Sequence, residues 1–373
     1  GNPYPSLLSF IGGDFTIYTA ASGPRYPSVA GNAVANEYLV VWEDGRNFSP
    51  NDNYDIYGQL VAEDGTRIGA NFRIAGRTTS DQEPAVVYNP DANEYFVVWS
   101  NGRNGGTSGY DIYGRRLNAD GTPAGGDFRV SRGDTTVHET APAVAWSPDG
   151  EHIAVGRTGR VLVYEARSLK LIRAYGEHEG TIYETAWSPD GRRLASASDV
   201  EVRLWNLDGT PGPVLPRGQA HFPIAWSHDG QRLAAASYAD VRVWGADGTP
   251  GPAYRGHKQV VRGLAWCPDG QQLASASEGG TVRLWRLEAT ARPELLWTAT
   301  DPVSALALTA DERHLLAAGW DGQVTVWDLG ARAELRRLAG DQGPIHGLAA
   351  SPDGRFAATA GEDGSARLWE IVG

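Results

Sequence analysis

The chain has 373 residues and a formal net charge of −12, from 33 basic and 45 acidic side chains. That balance excludes a nucleic-acid backbone as the main partner, because phosphate binding needs a concentrated positive face. A single cysteine, Cys267, excludes an internal disulfide framework and any multi-cysteine metal site, and no apolar run reaches membrane-spanning length, so no membrane partner is expected.

In chain order, the first predicted element is a strand within 10–19. Its segment Phe10 to Ile17 matches Arg67 to Ile74 and Pro123 to Val130, each the last strand of a longer repeat. The first copy of that repeat runs through Glu37 to Trp42, Tyr54 to Gly58 and Asn71 to Ile74. The second, displaced by about 56 residues, runs through Glu94 to Trp99, Tyr110 to Gly114 and Asp127 to Val130. Together the two copies occupy 25–132.

Two longer loops interrupt these copies, at 43–53 and 100–109. Their Asn, Gly and charged residues make Asn47, Asp52, Asn53, Arg103 and Asn104 candidate binding positions, for a carbohydrate or for calcium. The spacing around Asp52, Asn53 and Asp55 lacks the Asp-x-Asp-x-Asp-Gly order and the terminal bidentate acid of a calcium loop. Arg46 with Asp55 and Arg103 with Asp111 are instead expected to form a structural pair in each copy.

From residue 143 a different phrase recurs six times, opening as Ala-Val-Ala-Trp-Ser-Pro-Asp-Gly at 143–150. The aromatic ending each unit falls at Tyr164, Trp205, Trp244, Trp285, Trp327 and Trp369, steps of roughly 40 residues. Ser-Pro-Asp-Gly at 147–150, 188–191 and 351–354 reads as a turn in which Pro presets φ and Gly supplies a left-handed position. The stretch LAWCPDGQQLASASEGGTVRLW at 264–285 resembles the WD-repeat family, and the resemblance extends over about 140–373. It implies a β-propeller whose blades are braced by a buried hydrogen-bond network. Gly256-His257 and Trp327-Asp328 match the family's Gly-His and Trp-Asp signatures, and Asp321 and Asp363 its turn acid; most other units lack these marks. The first two copies resemble longer propeller-type repeats of exported bacterial proteins, so the whole reads as a hybrid.

Strand phase then fixes the expected architecture. The chain starts on an orphan outer strand and stops on the third strand of its last unit, so its two ends complete one blade. The expectation is an all-β fold, a single closed β-propeller of eight four-stranded blades with the N-terminal strand completing the C-terminal blade. Its parts are the closing strand at 10–19, two long-loop blades at 25–132 and six WD-type repeats at 140–371. Closure leaves no exposed inner sheet edge.

Sites on this architecture are expected on the face that carries the channel mouth. Aligned units place Pro142, Tyr183, Phe222, Arg262, Ser304 and His346 at equivalent positions before each innermost strand, with Pro27 and Pro84 matching in the first two blades. Tyr183, Phe222, Arg262, Ser304 and His346 are therefore the candidate binding rim, a mixture suited to a protein or peptide. His138, His178, His221, His257 and His346 lie near the same face but on different blades, too dispersed for a shared metal. No nucleophile elbow, phosphate loop, zinc-protease or dinucleotide motif occurs, and Cys267 stands for the serine of a turn. The resulting expectation is a monomeric, non-enzymatic interaction platform with no cofactor. The alternatives are a chimera of two propellers with no evolved ligand, or a carbohydrate or calcium binder. The chain has no methionine, so a targeting segment is expected outside it, and the compartment, bacterial cytoplasm or export, stays open.

Overall fold

A computed structural model describes residues 15–16, 25–32, 34–45, 54–63, 66–76, 81–101, 111–130, 143–176, 178–216, 223–287, 294–309, 311, 313–339, 343–350, 354–362 and 365–371. All regular elements among them are β-strands, paired into eight antiparallel four-stranded sheets. Seven sheets take their strands in simple chain order. The eighth pairs Ile345–Ala350, Phe356–Gly361 and Ser365–Glu370 with the N-terminal strand Phe15–Thr16, in the register Phe15 to Ala366 and Thr16 to Ser365. The ends of the chain thus share one blade, as strand phase requires.

Each innermost strand packs on that of the next blade, and Ile345–Ala350 packs on Arg25–Asn32 to close the ring. The core lies between blades, in eight apolar clusters that each span two neighbouring sheets. The junction of last and first blades, for example, joins Phe356 and Ala358 to Tyr38, Val40 and Trp42. Small residues make this packing possible in the C-terminal blades. Second strands such as Arg193–Ser198 and Arg232–Ser237 are buried on both faces, where Ala and Ser let adjacent sheets approach closely. The first two blades use longer second strands, Glu37–Asp44 and Glu94–Asn101, filled with Val, Tyr and Trp.

Among the described residues, the Ser-Pro-Asp-Gly turns at 147–150 and 188–191 behave as read. Gly191 has φ of 68°, its N–H donates to the Ser188 carbonyl, and the Ser188 hydroxyl accepts from Arg193 N–H while donating to Asp190. That bond is the first cause holding the Asp190 carboxyl below its ordinary range.

The buried bracing network is more complete than the Gly-His signature suggests. His257 Nε2 lies 2.6 Å from Ser275 Oγ, which also accepts Trp285 Nε1–H at 2.7 Å. His178, which follows Glu177, holds the same place in the fourth blade: Nε2 lies 2.9 Å from Ser196 Oγ, which accepts from Trp205 at 2.7 Å. Burial pushes both imidazoles down, His257 to about 4, although Glu201 opposes the shift at His178. Thr359 takes the serine's role for Trp369, whereas Ala317 occupies that position in the seventh blade.

In the first two blades an arginine of the outermost strand pairs with the acid that opens the third strand. Asp55 meets Arg73 at 3.6 Å, and Asp111 meets Arg129 at 2.7 Å. The expected partners Arg46 and Arg103 lie outside the described residues. The antiparallel register accounts for the pairing observed, since Tyr57 opposite Arg73 and Tyr113 opposite Arg129 bring each guanidinium beside the acid that opens the third strand.

Candidate interaction face

The innermost strands begin with a defect that gives the candidate rim its geometry. In the fourth blade Ile182 pairs with Ser198 but Glu184 pairs with Ala197, so Tyr183 is the extra residue of a β-bulge. Arg262, Ser304 and His346 are the extra residues of the same bulge in the sixth, seventh and eighth blades. These four positions are equivalent, as the aligned units predict, but they lie inside the innermost strand and not before it. A bulge adds a residue that the strand's strict alternation of faces does not govern.

What each rim residue does differs. Arg262 is exposed and pairs with Glu278 at 2.6 Å. Ser304 is half-buried, and its hydroxyl donates to carbonyls of Ala318 and of Ile345 in the next blade, so it serves cohesion between blades. His346 is exposed, with Nε2 3.9 Å from Glu362. Tyr183 is half-buried; burial pushes its phenol up, against a bond with Thr181 and with a further push from Asp199. Phe222 and Pro142 lie outside the described residues, as do Asn47, Asp52, Asn53, Arg103 and Asn104, and His138 and His221.

Beside the bulges runs a second series of equivalent positions, the residue immediately after each second strand. In the fourth to eighth blades it reads Asp199, Tyr238, Glu278, Trp320 and Glu362, with carboxylate and aromatic alternating. Glu278, Trp320 and Glu362 donate their backbone N–H to the carbonyls of Val260, Pro302 and Pro344, which lead into the innermost strands. These bonds seat the second series against the bulge series. Tyr238 and Trp320 are among the few large hydrophobics exposed, at 55% and 47%. The signal for this series was available in sequence, at the residue following each second strand. Its residue types vary too much to read as a motif.

Tyr238 is also held in the left-handed region, φ 56°, which a bulky side chain seldom adopts. Its carbonyl accepts Val261 N–H from the next blade at 2.8 Å, fixing that conformation. Among the described residues no group of three or more His, Cys, Asp or Glu could hold a metal, and His178 and His257 are consumed by the bracing network. Likewise Asp55 is engaged by Arg73. No helix is long and apolar enough to cross a membrane among the described residues.

The WD domain, G-beta repeat family matches residues 169–206, 248–286, 294–328 and 332–370. Each match takes the outermost strand of one blade and the three inner strands of the next, the same staggered phase that closes the ring. No curated protein matches the sequence significantly. Among solved structures, the C-terminal WD40 domain of Sif2 superposes with a TM-score of 0.73 at 18% identity, covering 98% of this chain and 100% of that one. Chaetomium thermophilum Sqt1 bound to the N-terminus of the ribosomal protein L10 gives 0.69 at 20% identity, covering 92% and 96%. A chain of the mitotic checkpoint complex gives 0.60 at 21% identity, covering 76% and 85%. At these identities the likeness is one of fold. The chain is an eight-bladed β-propeller that carries WD40 repeats in four places between residues 169 and 370.

Proposed function

We propose that this propeller is a non-enzymatic platform that binds a protein or peptide across its channel face. The observation that carries the reading is the double series there: bulge residues including Tyr183, Arg262 and His346, beside the series Asp199, Tyr238, Glu278, Trp320 and Glu362, of which the last three are bonded to the segments entering the innermost strands. Exposed aromatics beside charged groups on rigid strand ends are what interface anchors require. Sqt1, of the same fold, is crystallised with the N-terminus of a ribosomal protein, and another neighbour is part of a checkpoint assembly, which supports the same use of the fold here. The net charge of −12 favours a protein partner over nucleic acid.

Photo-crosslinking tests this. A benzophenone amino acid placed at Tyr183 or Trp320 should yield partner adducts in cells, and the same probe at Asp190, in a turn on the opposite face, should not. Adducts from Asp190 alone would overturn the assignment. We also read the first two blades as a separate repeat type within a single domain, supported by their longer second strands and their Asp55–Arg73 and Asp111–Arg129 pairs.

A further inference from the structure

We infer that the channel face of the fifth to eighth blades takes a cationic peptide segment, whose lysine or arginine side chains stack on Tyr238 and Trp320 between flanking carboxylates; this rests on the platform reading and specifies its partner class. Each of the two exposed rings sits between acids at the equivalent position of the adjacent blades: Tyr238 between Asp199 and Glu278, Trp320 between Glu278 and Glu362. Trp320 has further acids in its own blade, with Asp301 exposed in the segment entering it and Asp321 next in sequence.

An aromatic face attracts a cation through its quadrupole, and adjacent carboxylates add to that attraction without competing for the same surface. A neutral apolar partner would gain nothing from the acids, and an anionic one would be repelled by them. The cation of this arc that stands in the bulge series, Arg262, is already paired with Glu278 at 2.6 Å. It occupies the charge that an incoming lysine or arginine would otherwise meet. The face therefore holds an internal cation at its centre, which a partner must displace or lie beside.

The conformation of Tyr238 is an independent mark. A left-handed conformation costs a tyrosine stability that glycine would avoid. The ring is held outward by a cross-blade hydrogen bond and contributes little to the core.

The test uses the full chain and two short fluorescein-labelled peptides, one alternating lysine with alanine and one alternating glutamate with alanine, read by fluorescence anisotropy. The lysine peptide should bind, with affinity falling as salt rises. Trp320→Ala and Tyr238→Ala should each weaken it about fivefold, and Arg262→Ala should tighten it about two- to fivefold by freeing Glu278. Unchanged melting temperatures would show that the variants fold. If the glutamate peptide binds instead and loses affinity in Trp320→Ala, the partner class is wrong while the face is right. Lysine-peptide binding indifferent to all three substitutions, or no binding of either peptide, overturns the inference; crosslinking then judges the platform reading separately.

Discussion

Replacing Ser275 by alanine isolates what braces a blade. The Ser275 hydroxyl is fully buried and joins His257 Nε2 at 2.6 Å to Trp285 Nε1 at 2.7 Å. Truncation removes one oxygen and strands two buried ring nitrogens. Each such group costs about 1–3 kcal/mol, and His257 keeps its Thr281 bond on Nδ1, so the expected loss is about 2–4 kcal/mol. The seventh blade supplies the reverse experiment. There Ala317 stands where Ser275 would, Trp327 Nε1 has no hydrogen-bond partner among the described residues, and a cavity lined by Leu315, Ala317, Thr325 and Trp327 leaves room for a hydroxyl. Ala317→Ser should gain about 0.5–1.5 kcal/mol. Urea titration of both variants reads the two effects as opposite shifts of the midpoint at constant slope. Should Ser275→Ala fall within about 0.5 kcal/mol of the parent, as an ordinary surface change does, the network is incidental to stability.

His257 also makes stability pH-dependent. Its folded value, about 4, lies below its ordinary 6.5, so the unfolded chain binds more protons between them; its contribution is complete above 6.5 and is lost as pH falls toward 4, by up to about 3 kcal/mol. Denaturation midpoints from pH 7 to 4 should show that loss, with less of it in His257→Gln. Arg129→Ala removes a 2.7 Å partner of Asp111, whose side chain is buried, and thermal unfolding should register a loss of about 1–2 kcal/mol. Tyr238→Gly relieves the left-handed strain, so calorimetry should find it about 1 kcal/mol more stable than the parent while peptide affinity falls.

How far these features could be read from sequence depends on the range of the interaction behind them. The period of the terminal aromatics, from Tyr164 to Trp369, and the match of Phe10 to Ile17 with later outer strands are local patterns. Those patterns suffice for blade number and for the pairing of Phe15 and Thr16 with Ala366 and Ser365. Turn chemistry such as Ser188 with Asp190 is local as well. The bracing histidine of the fourth blade escaped because His178 follows glutamate where the signature has glycine, although packing against Ser196 and Trp205 needs only the imidazole. Arg73 and Arg129 escaped because their acids lie across a strand pair, many residues away along the chain.

The rim was legible as a set of equivalent positions and illegible as a bulge, since bulges are properties of register between two strands. That register has a functional consequence. Inserting one residue at the start of an innermost strand sets Tyr183, Arg262, Ser304 and His346 near the residue that follows the second strand, and so pairs two variable positions in the fourth, sixth, seventh and eighth blades. The surrounding bonds, from Glu278 to Val260 and from Trp320 to Pro302, involve backbone alone. With those bonds carried by the backbone, a repeated scaffold can hold a different pair of side chains from blade to blade: an ion pair in the sixth, a serine that tethers the next blade beside an exposed indole in the seventh, an imidazole near a carboxylate in the eighth. A uniform fold thereby presents a non-uniform face, the property a specific partner requires.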